Sequence, residues 1–306
     1  MPPRLALASS FRAPPVLSLR IRVARARFST EADDAVLKVQ QVPAPGSGNI
    51  RVLLLNRPKA RNALSRGLLD SLTKQVQSIS AEGGSGPTRA LVIGSNADSA
   101  FCAGADLKER LKMTANETND FLTQLRGTFS ALAGLPIPTI SAVSSTALGG
   151  GLELALCTHL RVFGSSSVVA LPETRLAIIP GAGGTYRLPG VVGLNRARDM
   201  ILTGRRVSGP EAYFIGLCDR LVEILPEEEQ QEGRAREKVL QEGIKLAMDI
   251  CEGGPVAIRE ALRAVNGCWQ GEVAENEAYE GVMVTEDRVE ALRAFGEKRK
   301  PAFRGR

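Results

Sequence analysis

The chain has 306 residues, 43% hydrophobic and 24% charged, which suits a globular protein of one large domain or two small ones. No stretch approaches ~20 uninterrupted apolar residues, so a transmembrane helix is excluded. The formal charge of +6 hints at nucleic acid, but the six arginines of residues 1–30 carry all of it, and the remaining 33 basic and 33 acidic residues balance.

Residues 1–30 are rich in Arg, Ser, Ala and Pro and hold no acid before Glu31, the composition of a mitochondrial transit peptide. Arg27-Phe28-Ser29-Thr30 resembles a matrix-protease site, with the mature chain starting near Ser29. A basic tail without an address is the alternative. The stretches expected to lack order are 1–45 and about 226–232.

Ile50–Leu55 is a short apolar run closed by Asn56-Arg57-Pro58, which predicts a buried strand and a turn. Leu64–Ile79 has helical spacing in Leu68, Leu69, Leu72, Val76 and Ile79. Further strands are expected at Ala90–Ile93, Thr139–Val143, Leu160–Phe163 and Val168–Leu171, with helices between several of them. This alternation predicts an α/β core over residues 31–207. From about Ser208 strand signals fade. Pro210–Leu217, Glu232–Cys251, Pro255–Val265, Val273–Thr285 and Arg288–Arg293 read as helices of a C-terminal region, 208–306.

Three glycine-marked segments carry chemistry. In Ala147-Leu-Gly-Gly-Gly-Leu-Glu153, a strand leads through glycines into a buried helix, whose first amides lack internal partners and favour negative charge. The Gly150 amide is therefore a candidate oxyanion donor. Glu153 stands one turn in, among apolar residues, where a carboxylate needs a purpose or a partner. Phe101-Cys-Ala-Gly-Ala-Asp106 is a second turn of small residues, able to present the Ala105 amide, with Asp106 as a helix cap. Glu173 follows Pro172 and precedes Ile178-Ile-Pro-Gly-Ala-Gly-Gly-Thr185, whose glycines read as site-shaping and not as a dinucleotide loop. Two carboxyl groups and two amides suit addition of water to an activated double bond.

Other chemistries lack parts. The five cysteines are scattered with no CxxC or Cys/His cluster, which argues against zinc and for reduced thiols. His159 is the one histidine, and no GxSxG elbow exists, so a serine-hydrolase triad is unsupported. Cys102 lacks a base that the sequence can name.

At Phe101–Lys108, Ala147–Ala155 and Pro172–Leu188 the chain resembles the crotonase (enoyl-CoA hydratase/isomerase) superfamily, and the likeness runs from about Ile50 to Arg304. Within it the chain is similar to the mitochondrial 3-methylglutaconyl-CoA hydratase group, through Cys102–Arg110, Glu173–Pro180 and Glu286–Arg299. The resemblance implies a spiral of ββα units with a C-terminal helical region that builds homotrimers, often paired into homohexamers. It implies oxyanion-hole amides at Ala105 and Gly150 and catalytic glutamates at Glu153 and Glu173. It implies that the carbonyls of Ala103 and Leu107 receive the CoA adenine. Lys59, Lys108 and Lys298 would lie near CoA phosphates, Lys298 from a neighbouring subunit. No metal or other cofactor is implied, because CoA is the handle of an acyl-CoA thioester substrate. The implied setting is the mitochondrial matrix.

Members that isomerise or dehalogenate commonly lack one glutamate, so the pair points to hydration. The expected substrate is 3-methylglutaconyl-CoA of leucine degradation. The alternatives are a short-chain hydratase of β-oxidation and, in another class, an RNA-binding or scaffold protein with a vestigial site. Some of the most similar relatives bind AU-rich RNA through a lysine-rich helix, but the matching stretch carries only Arg66 and Lys74 against Asp70, so nucleic acid is not an expected partner. Where many relatives have Gln, this chain has Tyr186, which could reshape the acyl pocket. Thr158-His159 and Ser144-Ser145 are further departures from the common pattern. A carboxylate-tailed substrate needs a cation at the far end of the pocket, for which Arg110, Lys112 and Arg187 are candidates.

Overall fold

The computed structural model describes residues 27–28 and 35–306. Most of the expected leader, including the cleavage position, lies outside the described residues. Among the described residues the main sheet has seven strands: β1 (Arg27–Phe28), β2 (Leu37–Pro43), β3 (Asn49–Leu55), β4 (Thr88–Ser95), β5 (Thr139–Val143), β7 (Leu160–Gly164) and β10 (Arg220–Val222), adjacent in that order. β2 pairs antiparallel with β1 and β3, and β3 through β10 run parallel. A smaller sheet holds β6 (Thr146–Leu148), β8 (Val168–Ala170) and β9 (Val207–Ser208).

The central strands read as unbroken apolar runs because both faces of the main sheet are covered. Leu53, Leu55, Leu91, Ile93, Val143 and Phe163 enter one core, and Ile50, Val52, Leu54, Val92, Ile140 and Val162 enter the other. Helix α1 (Arg66–Ala81) covers the first face with Leu68, Leu69, Leu72, Val76 and Ile79, the five residues its spacing predicts. Ser65 caps it, its hydroxyl accepting from the Leu68 amide at 3.3 Å. After the single turn α2 (Leu107–Arg110), α3 (Ala115–Ala133) packs on α1. Thr114 and Glu117 close a reciprocal capping box at the start of α3.

The short α4 (Gly150–Leu156), α5 (Gly184–Val192), α6 (Leu194–Thr203) and α7 (Gly209–Phe214) follow. After α8 (Pro226–Glu229), α9 (Arg234–Cys251) covers the second face of the sheet with Val239, Ile244 and Ala247. At Gly243 the helix backbone comes close to the sheet: a side-chain Cβ there would stand 3.4 Å from that of Ala142. The last helices are α10 (Pro255–Asn266), α11 (Glu272–Met283) and α12 (Glu286–Gly296). Among the described residues no helix is long and apolar enough to cross a membrane.

Several expectations change. The stretch expected to lack order before residue 45 contains β2, which lies along β3 and buries Leu37 and Val42 on its two faces. Residues 226–229 form α8, a turn that Pro226 starts and Glu228 caps by accepting from the Leu225 amide at 3.0 Å. Strands do not end at Ser208, since β10 extends the parallel sheet beside β7. The strand expected at 168–171 belongs to the smaller sheet.

Candidate active site

The site forms where loops leave the C-terminal ends of β4, β6 and β8. The loop after β4 carries Cys102 to Asp106, and parallel bridges tie Leu64 to Ala105 and Cys102 to Ala147. Gly104 has φ of +91°, and a Cβ there would stand 2.7 Å from the Leu148 carbonyl oxygen, so only glycine lets the two loops touch. Asp106 caps α2, accepting from the Glu109 amide at 3.3 Å, and pairs with Arg57 at 3.0 Å. The flanking residues of this loop are bonded to Arg61 and Leu64, whereas the Ala105 amide has no acceptor among the described residues. The Gly150 amide opens α4, where no intrahelical acceptor exists.

Glu153 is 3% exposed on α4. Its Oε1 accepts from the amides of Ala182 and Gly184, each at 2.8 Å. Burial raises its pKa, and those two amides together with the Arg187 and Arg126 charges hold the rise back. Glu173 is 8% exposed in a single 3-10 turn, Glu173–Leu176. Its Oε2 is buried with no partner among the described residues. Burial, reinforced by the Glu153 charge, pushes its pKa up to about 7. A Cβ on Gly149 would lie 2.9 Å from Glu173 Oε1, and one on Gly150 would lie 4.0 Å from Glu153 Oε2. The two carboxyl groups therefore flank the same glycine turn.

Ala103, Ala105, Leu107, Gly150, Glu153 and Glu173 all line one cavity of about 700 Å3. Lys59 and Lys108 are exposed beside the segments that build it, and Lys298 follows α12 with φ of +53°; none of the three lines the cavity of this single chain. The opposite wall is α3, with Phe121, Leu122, Leu125 and Arg126. No site role is expected for α3 from the sequence, although its apolar spacing is visible there. The turn at 181–184 shapes the site as its glycines suggest, presenting the Ala182 and Gly184 amides that hold Glu153. Tyr186 is 62% exposed and stays off the cavity, its ring against the Arg187 guanidinium at 4.7 Å.

Cys102 and His159, the two other candidates the sequence offered, are held inert. Burial lifts the Cys102 thiol to about 12. His159 is bonded to the Thr139 hydroxyl at 2.8 Å, and burial lowers it to about 4. Among the described residues no cluster of three or more His, Cys, Asp or Glu could hold a metal ion.

A sequence profile described as enoyl-CoA hydratase/isomerase matches residues 46–306. An enoyl-CoA isomerase/hydratase of Zymoseptoria tritici is 58% identical over 94% of this chain and 94% of its own length. A mitochondrial methylglutaconyl-CoA hydratase 1 of Pyricularia oryzae is 54% identical over 99% of this chain and 97% of its own. Among solved structures, an enoyl-CoA hydratase of Bacillus anthracis superposes with a TM-score of 0.78 at 36% identity, covering 89% of this chain and all of that one.

Proposed function

The chain belongs to the enoyl-CoA hydratase/isomerase family, and on that footing we propose that it adds water across the 2,3 double bond of 3-methylglutaconyl-CoA. The observation that carries the reading is the pair of buried carboxyl groups, Glu153 and Glu173, flanking one glycine turn in one cavity. The acyl-CoA thioester oxygen sits between the amides of Ala105 and Gly150, which stabilise it as it gains enolate charge. Loss of one such donor in other enzymes costs roughly a hundred- to a thousandfold in rate.

The environments of the two glutamates divide the proton work. Glu153, steadied as an anion by two amides, takes a proton from water as its oxygen bonds to Cβ. Glu173, with a pKa near 7, is available in protonated form and delivers its proton to Cα. One water is consumed, and the proton left on Glu153 returns to Glu173 through solvent to reset the pair. The carbonyls of Ala103 and Leu107 receive the adenine, and Lys59 and Lys108, with Lys298 of a neighbouring subunit, balance the phosphates.

The fungal relative's name and the arginine-rich leader support a mitochondrial setting, and we place the enzyme in the matrix. It works as a homotrimer or a pair of trimers. Arg66 of α1 is engaged with Glu117 at 3.1 Å, which leaves the helix a poor nucleic-acid surface.

Steady-state hydration by protein lacking residues 1–28 tests the reading. A higher kcat/KM on 3-methylglutaconyl-CoA than on crotonyl-CoA supports leucine degradation. The reverse preference makes the protein a β-oxidation hydratase, and no turnover of either removes the hydratase reading.

A further inference from the structure

Of the cations near the acyl pocket, Arg110 alone is half-buried with no polar partner for its side chain among the described residues. Arg187 donates to the Ala182 carbonyl at 2.9 Å and stacks on Tyr186. Arg126 is exposed and spends its Nε on the Gly181 carbonyl at 2.7 Å. Lys112 is exposed and lies off the cavity. Arg110 lines the cavity, half-buried at the end of α2. Its Nε is buried with no acceptor, and its guanidinium makes no ion pair or side-chain hydrogen bond among the described residues. It packs at 4.8 Å on the ring of buried Phe121.

The acids beside Arg110 in sequence are already taken. Asp106 pairs with Arg57, and Glu109 accepts from the Arg66 amide at 3.1 Å. The acids that line the cavity are Glu153, held by backbone amides, and Glu173. Burial lowers the Arg110 pKa, the mark of a cation short of a counter-ion. A half-buried guanidinium with open donors is costly to keep unless an anion meets it, and its planar fork matches a carboxylate. Position agrees with that role. α2 is one turn, spanning about 5 Å along its axis from Leu107 to Arg110, so Arg110 lines the same cavity as Ala105 from one turn further along the chain.

We propose that Arg110 is the specificity-determining residue that receives the distal carboxylate of a dicarboxylic acyl-CoA, a role that rests on the substrate reading above and names its recognition point. Phe121 steadies the guanidinium from its ring face, and the incoming carboxylate takes the unpaired Nη donors. A neutral acyl-CoA leaves those donors unmet, so selection against it follows from the same group that attracts the acid.

The test uses two independent readouts on the full chain and on Arg110→Met and Arg110→Lys. The first is binding of glutaryl-CoA and butyryl-CoA by calorimetry; both are saturated and cannot be hydrated, so the result does not depend on the reaction. The second is kcat/KM on 3-methylglutaconyl-CoA against crotonyl-CoA. The expected result is that Arg110→Met lowers the acid-to-neutral ratio about 10–150-fold in both readouts, with partial recovery in Arg110→Lys. Equal losses on acidic and neutral ligands, or no loss on the acidic one, overturn the proposal while leaving the substrate reading intact. A wild-type protein with no preference for the acid in either readout overturns both.

Discussion

Ionising Glu173 costs the fold stability within the physiological pH range. A pKa near 7 against the ordinary 4.5 corresponds to about 3 kcal/mol between its two charge states. Because the folded-state value is raised, the carboxyl contributes its full stability below pH ~4.5 and loses it as pH rises through ~7. Glu173→Gln removes that dependence. Its Tm should match the wild type at pH 4 and exceed it at pH 8, as thermal scans at the two pH values would read. The same variant and Glu153→Gln should fold and lose about a hundred- to ten-thousandfold in kcat. Near-full activity in either would remove that glutamate from the mechanism. Both glutamates were legible in the sequence because a carboxylate among apolar residues and glycines is itself a signal. The Arg110 role was only half legible: its proximity could be read, but the lack of a counter-ion is a property of space.

At the scale of elements, the active loops depend on close backbone contact. A Cβ on Gly151 would lie 2.1 Å from the Cys102 carbonyl oxygen, far inside contact distance. Gly151→Ala should therefore push α4 away from the Ala105 loop, costing about 1–3 kcal/mol of stability and slowing hydration, as denaturant titration and kinetics would record. Unchanged stability would mean that the loops are not in contact. The glycine turns could be read as sites of backbone approach, but the partner loop could not be named. The buried face of α1 was legible because its five apolar positions repeat at helical spacing, although the helix begins two residues later than that spacing suggested, where Ser65 caps it. β2 was not, since its burial pattern is mixed and its pairing with β3 fixes it from outside the segment.

At the scale of the molecule, the C-terminal helices leave much apolar surface uncovered. Trp269 is 79% exposed, Val284 88% and Phe295 87%. Patches of this kind mark association surfaces, in keeping with the assembly proposed above. Replacing Trp269 and Phe295 together by Asp should move the protein toward the single-chain species in sedimentation runs, while an unchanged oligomer would place the interface elsewhere. The helices themselves were legible in sequence. Their outward face was not, because apolar spacing shows that a face is buried without saying by whom. The same ambiguity hid α9, which reads like its C-terminal neighbours yet packs on the sheet.

The place of α9 bears on how the protein comes to exist. A ribosome finishes every strand of the main sheet by Val222, while the cover for its second face ends only at Cys251. Between those points the emerging polypeptide carries Val52, Val92, Ile140 and Val162 on a naked face. Chains cut before Arg234 should accumulate as aggregates or remain with chaperones, even though Ala105, Gly150, Glu153 and Glu173 are all already synthesised. Solubility, in birth order, arrives after chemistry.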